Sequence, residues 1–140
     1  MIIGFIPSRL ESKRIFQKPL LKINGLPIII HTMKRAMLSK KLNDLYVCTN
    51  SEIIANLVLK HGGKPIITSS KHKNGTERIA EAAKKIKFDY AIDIQGDEPL
   101  VEPSDIDKVI SFHLKNKNFD IVVPYLNIKY KHNPNNVKII

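Results

Sequence analysis

The stretch Gln95-Gly96-Asp97-Glu98-Pro99 follows an apolar run and sets a carboxylate beside a glycine. A residue without Cβ lets another group come close to the backbone. Mg2+ takes oxygen ligands, commonly one or two carboxylates with phosphate oxygens and water. Asp97 could supply one such oxygen. Asp93 lies two residues before Gln95, on the same strand face, so it points either to the same site or into a helix contact. Glu98 points the other way if the strand persists. Alternatively, these acids cap the region ahead of Ser104.

Two further segments carry groups of matching chemistry. Pro7 to Leu20 holds Arg9, Lys13, Arg14 and Lys18 with Ser8 and Ser12. Guanidinium groups hold oxygens in pairs and an ammonium adds a point charge, so this loop suits a polyphosphate. It lacks the Gly-x-x-x-x-Gly-Lys-[Ser/Thr] pattern and is not a Walker loop. By charge alone, a solvated basic loop is the plainer reading. Thr68 to Arg78 contains Asn74-Gly75, a turn signal, then Thr76 and Arg78 at a helix entry. Free backbone N–H groups and an arginine there could read a base or hold a phosphate. His72 in the same loop reads as structural or merely exposed.

These loops need elements to position them. Strand-like runs cover residues 2–6, 45–49, 64–68, 90–95 and 120–125. Helical periods cover 27–38, 51–61, 75–86 and 104–117. The first helix has Pro27 near its first turn, and the second has Asn50 or Ser51 as cap and Gly62-Gly63 as stop. Val137 to Ile140 is again strand-like. Alternating strand and helix imply a parallel sheet with helices on both faces. In such sheets ligands bind beyond the carboxyl ends of the strands. Functional residues should therefore follow Ile6, Val47, Ile67 and Ile94.

Composition narrows the classes. A chain of 140 residues, 43% hydrophobic and 26% charged, makes one domain able to bury a core. No apolar run approaches the roughly 20 residues of a membrane span, and the first residues read as a strand rather than a signal peptide. The single cysteine, Cys48, excludes an internal disulfide, suggests a reducing compartment and reads as a small core residue. The net charge of +10 raises nucleic acid as a partner. Against that, the excess is lysine dispersed near helix ends, and only four arginines occur. No nucleic-acid partner and no membrane insertion are expected.

The loops together resemble the bacterial 3-deoxy-manno-octulosonate (Kdo) cytidylyltransferases, or CMP-Kdo synthetases. The matching stretches are Ile6-Pro7-Ser8-Arg9, Ser12-Lys13-Arg14, Lys18-Pro19-Leu20, Ile23-Asn24-Gly25-Leu26-Pro27, Gly75-Thr76-Glu77-Arg78, Gln95-Gly96-Asp97-Glu98-Pro99 and Asn133-Pro134-Asn135-Asn136-Val137-Lys138. The resemblance implies an α/β, Rossmann-like nucleotide-diphospho-sugar transferase fold. It also implies transfer of CMP from CTP to the anomeric hydroxyl of Kdo, giving CMP-Kdo and pyrophosphate for lipopolysaccharide synthesis in the cytoplasm. On the matched positions, Arg9, Arg14 and Lys18 would hold the triphosphate, and Ser8 and Ser12 would line that loop. Gly75, Thr76 and Arg78 would lie at the cytidine end. Gln95 would face the reacting groups, and Asp97 would ligate Mg2+. Arg9, Lys18 and Asp97 form the implied catalytic set.

Three departures stand out. The family's Arg-Leu-Pro-Gly-Lys-Pro becomes Arg14-Ile15-Phe16-Gln17-Lys18-Pro19, which could change the loop's curvature. The family's serine before Gly75 is Asn74, preceded by Lys73 where glutamine is usual. The family often lacks an acid at the position of Asp93, so no metal role is carried onto it. The family also continues past the position of Ile140, with most sugar contacts, dimer contacts and a second Mg2+ aspartate beyond it. Residues 1–140 are therefore expected to be one nucleotide-binding domain truncated at its carboxyl end, and a homodimer only if full length. Other acidic sugars, such as 8-amino-Kdo or a nonulosonate, and an inactive CTP-binding fragment are the alternatives.

Overall fold

The computed structural model describes residues 1–11 and 15–125. Four parallel strands form the sheet: β1 (Ile2–Ser8), β4 (Asp44–Thr49), β5 (Lys64–Ile67) and β6 (Tyr90–Asp93). Their order is β5-β4-β1-β6. Two short antiparallel strands, β2 (Lys22–Ile23) and β3 (Leu26–Pro27), make a separate hairpin. Helices α1 (Ile28–Ala36), α2 (Glu52–Lys60), α3 (Gly75–Ala83) and α4 (Pro103–Lys115) fill the connections.

Alternation along β1 divides the core. Ile6 faces one side with Leu45, Val47 and Ile94, against α1, α2 and α4. Ile3 and Phe5 face the other with Cys48, against α3. A strand covered on both faces needs apolar residues throughout, as the Ile2–Ile6 run provides. On α1, Ile29, Ile30, Met33 and Ala36 recur at helical spacing and are buried. Complete burial of a side chain such as Ile29 or Ile30 is worth about 1.5–3 kcal/mol.

The expected α/β architecture, parallel sheet and helices on both faces are found. Ser51, of the two expected caps, closes α2: its hydroxyl accepts from the Ile54 amide at 3.3 Å. Cys48 is buried, and burial pushes its thiol up to about 12. The expected strand over residues 120–125 is not formed. Ile121, Val123 and Tyr125 are exposed, Pro124 lacks an amide donor, and no ladder partner exists among the described residues. The run expected over 137–140 lies outside the described residues.

Candidate functional site

Strand order creates a crevice. From β1 the chain moves to β4 and β5 on one side, then returns to place β6 on the other. The reversal lies between β1 and β6, and ligands in such sheets bind outside the carboxyl ends at that point. Two of the expected loops leave there, after β1 and after β6, while the loop into α3 comes from β5. Loops from both sides close on Pro7. A Cβ on Gly96 would lie 2.7 Å from the Pro7 carbonyl oxygen, and one on Gly75 would lie 3.0 Å from Pro7 Cγ. At Gly96 the obstacle is backbone, which cannot swing away, so glycine is required for this approach.

Lys18 and Asp97, 79 residues apart in sequence, meet across the crevice: Lys18 Nζ donates to Asp97 Oδ2 at 2.6 Å. Lys18 opens a 3-10 turn (Lys18–Leu20) that runs into the β2–β3 hairpin. Gln17 precedes it with φ 49°, in the left-handed region. Gln17 stands where the family's pattern has glycine, and its backbone takes the hand that glycine adopts most readily.

Arg78 is 3% exposed. Its Nη1 donates to Thr68 Oγ1 at 2.5 Å and to the Ser69 carbonyl at 3.3 Å. No ion pair with a carboxylate forms at this guanidinium among the described residues. Burial, followed by repulsion from Arg9, lowers its pKa. Arg9 thus acts on the Arg78 guanidinium with like charge, while Glu81 and Glu11 act on it with opposite charge without bonding it among the described residues. Arg9 itself is exposed just past β1, and Ser8, the last residue of that strand, is buried. Ser12 and Arg14 lie outside the described residues.

The loop before α3 is braced from within. Asn74 caps the helix, its Oδ1 accepting from the Glu77 amide at 2.8 Å, while Glu77 Oε2 accepts from the Lys73 amide at 2.9 Å. This reciprocal pair satisfies two amides at the helix start. Thr76 sits exposed in the first turn of α3. His72 bonds Glu81, which also accepts from the Ser69 amide at 2.9 Å, so the histidine has a bracing role. The Ser69 amide, then His72, lower the pKa of Glu81.

Gln95 donates to Asp93 Oδ1 at 2.9 Å, and desolvation raises the Asp93 pKa against that bond. Gln95 is thus held by Asp93, a partner that the motif does not announce. At the end of β4, Asn50 Oδ1 is buried with no donor among the described residues. Two residues that sequence reading missed, Thr32 and Arg35 of α1, also touch the Asp97 loop. Nothing in the sequence marks them, because both read as ordinary helix positions.

Among the described residues no three His, Cys, Asp or Glu side chains group together as a metal cage. Asp97 offers one carboxylate, half-exposed and already beside a cation. That donor set fits Mg2+ taking its other ligands from phosphate and water, rather than an ion enclosed by protein. No helix among the described residues is long and apolar enough to cross a membrane.

Comparison with known proteins identifies relatives by sequence and by fold. The family profile described as "Cytidylyltransferase" matches residues 3–140. A 3-deoxy-manno-octulosonate cytidylyltransferase from Fusobacterium nucleatum is 42% identical over 99% of this chain and 58% of its own length. An 8-amino-3,8-dideoxy-manno-octulosonate cytidylyltransferase from Shewanella halifaxensis is 37% identical over 96% of this chain and 58% of its own. The structure of a CMP:2-keto-3-deoxy-manno-octonic acid synthetase complexed with CTP superposes with a TM-score of 0.81 at 34% identity. That match covers 83% of this chain and 48% of the other. The chain thus spans a little over half the length of these curated relatives. By profile, sequence and fold, the chain belongs to the cytidylyltransferase family.

Proposed function

We propose that this chain is the nucleotide-binding part of an enzyme that transfers CMP from CTP to the anomeric hydroxyl of Kdo in the cytoplasm. The Lys18–Asp97 pair at the β1–β6 crevice is the observation that carries this reading. It sets a cation beside the carboxylate that this reading assigns to Mg2+, where such folds present ligands. The curated relatives support CTP and Kdo as substrates.

In this reading Arg9 and Lys18 hold the triphosphate, and Arg78 with Thr76 and Gly75 lies at the cytidine end. Arg14 is assigned to the triphosphate with Arg9 and Lys18, and Ser8 and Ser12 to the lining of the first loop, on the family's pattern. Gln95, fixed by Asp93, faces the reacting groups. The sugar hydroxyl oxygen forms a bond to the α-phosphorus, the bond to the pyrophosphate oxygen breaks, and the hydroxyl proton leaves to solvent. Catalysis by such a site rests on positioning and on neutralising phosphate charge. Mg2+, when bound by Asp97, supplies further charge neutralisation at the phosphates.

Calorimetric titration with CTP and Mg2+ tests the assignment. Asp97→Ala should weaken binding about tenfold or more, as expected when one charged interaction is removed. Unchanged binding would overturn the role of Asp97. Release of pyrophosphate from CTP with Kdo, against 8-amino-Kdo and a nonulosonate, tests the sugar.

A further inference from the structure

We infer that Thr32 and Arg35 of α1 are positioning residues that hold Asp97 at its metal-binding place. This deepens the proposed function and rests on its assignment of Asp97 to Mg2+. Thr32 and Arg35 are three apart and share one face of the helix. The buried Thr32 hydroxyl reaches the Gly96 carbonyl at 3.3 Å, sharing its single proton with the Ile28 carbonyl at 3.2 Å. Arg35 Nε donates to the Val101 carbonyl at 2.7 Å, and Nη2 pairs with Glu102 Oε1 at 2.5 Å. The loop bearing Asp97 is therefore held on both flanks by one helix.

Between those holds, the loop's backbone makes two tight turns of its own, and Asp97 meets Lys18. The Glu98 amide reaches the Gln95 carbonyl at 3.2 Å, and the Val101 amide reaches the Glu98 carbonyl at 3.1 Å. The same helix also anchors the other partner of the pair. The Ile28 amide donates to the Leu21 carbonyl at 2.9 Å, directly after the turn carrying Lys18. His31 Nε2 donates to the Ile23 carbonyl in the hairpin at 2.8 Å. Thus α1 is the common frame for Lys18 and Asp97. A carboxylate that must meet a metal within a few tenths of an ångström needs such support from groups behind it.

The test compares CTP affinity in excess Mg2+ with affinity in chelator, by calorimetry on the whole chain. The ratio isolates the metal-dependent part of binding. Thr32→Val preserves shape and removes one hydrogen bond. It should reduce the ratio about five-fold, the size of one net hydrogen bond, while leaving affinity in chelator unchanged. Arg35→Ala should reduce the ratio by at least as much, and Arg35→Lys, which keeps one donor, should restore part of it. Glu102→Ala, which leaves the Arg35 bond to the Val101 carbonyl intact, should keep the ratio. A purely structural role would lower affinity in both conditions together, and that outcome would overturn the proposal. Asp97→Asn separates the two claims. If it leaves the ratio intact, or if the unmodified chain has no Mg2+ dependence, the metal assignment fails and this inference with it. If Asp97→Asn abolishes the ratio while Thr32→Val keeps it, positioning alone fails. Should Arg35→Ala not fold, Thr32→Val decides.

Discussion

Gln17 departs from the family's pattern at a position where the backbone itself favours glycine. Its φ of 49° lies where L-residues other than glycine are disfavoured, at a cost of roughly 1–2 kcal/mol. Glycine at this position escapes that penalty but loses more chain entropy on folding. Gln17→Gly should therefore stabilise the chain by up to about 1 kcal/mol in urea unfolding and keep CTP affinity. A destabilised variant would mean that the side chain supplies more than the backbone forfeits. The types of the site residues were legible in the sequence, since charge and metal preference belong to the side chain. Their partners were not: the Lys18–Asp97 pair joins positions 79 residues apart, and nothing local announces it.

Among the elements, α3 has the most explicit start. Asn74 stands where the family has serine, yet both are good caps because each presents a short side-chain acceptor. Its bond to the Glu77 amide ties the family's Gly-Thr-Glu-Arg entry to helix formation. Asn74→Ala should cost about 1 kcal/mol of stability, measured by thermal or urea unfolding, while Asn74→Ser should recover most of it. The helices and four main strands could be anticipated because their apolar periods are long enough to read. The β2–β3 hairpin could not, since each strand has two residues and carries no period. The run over 120–125 misled for the opposite reason. Its apolar residues look like a strand, but a strand exists only when a neighbour completes its hydrogen bonds.

Across the molecule, Asp107 fastens α4 to the turn between α1 and β4. It accepts from Ser39 Oγ at 2.5 Å and from the Lys41 and Lys40 amides at 3.1 and 3.2 Å. Burial alone would raise its pKa, but these donors outweigh it and the pKa falls below the ordinary 3.8. A depressed carboxylate stabilises the fold above its unfolded value and loses that contribution as pH drops through the folded one. Asp107→Asn should therefore be less stable than the unmodified chain at pH 7. The gap should narrow as pH falls below the ordinary value of 3.8, as followed by urea unfolding across pH. The parallel α/β class was legible from alternating elements. The strand order was not, because local pattern does not say on which side of β1 the chain will return.

That order gives Pro7 a consequence of its own. In a parallel strand, alternate residues turn their backbone groups to opposite neighbours. The Phe5 carbonyl accepts from the Ile94 amide at 2.9 Å, so Pro7, two residues on, turns toward the same side. There it has no hydrogen to offer. Pairing with β6 stops at Phe5 opposite Asp93, while pairing with β4 runs on to Ser8 opposite Thr49. The sheet is zipped along one side of β1 and left unzipped at the end of the other. The fork so formed lacks the rung that an amide at Pro7 would supply, and it lies open beside Asp97 and its neighbours.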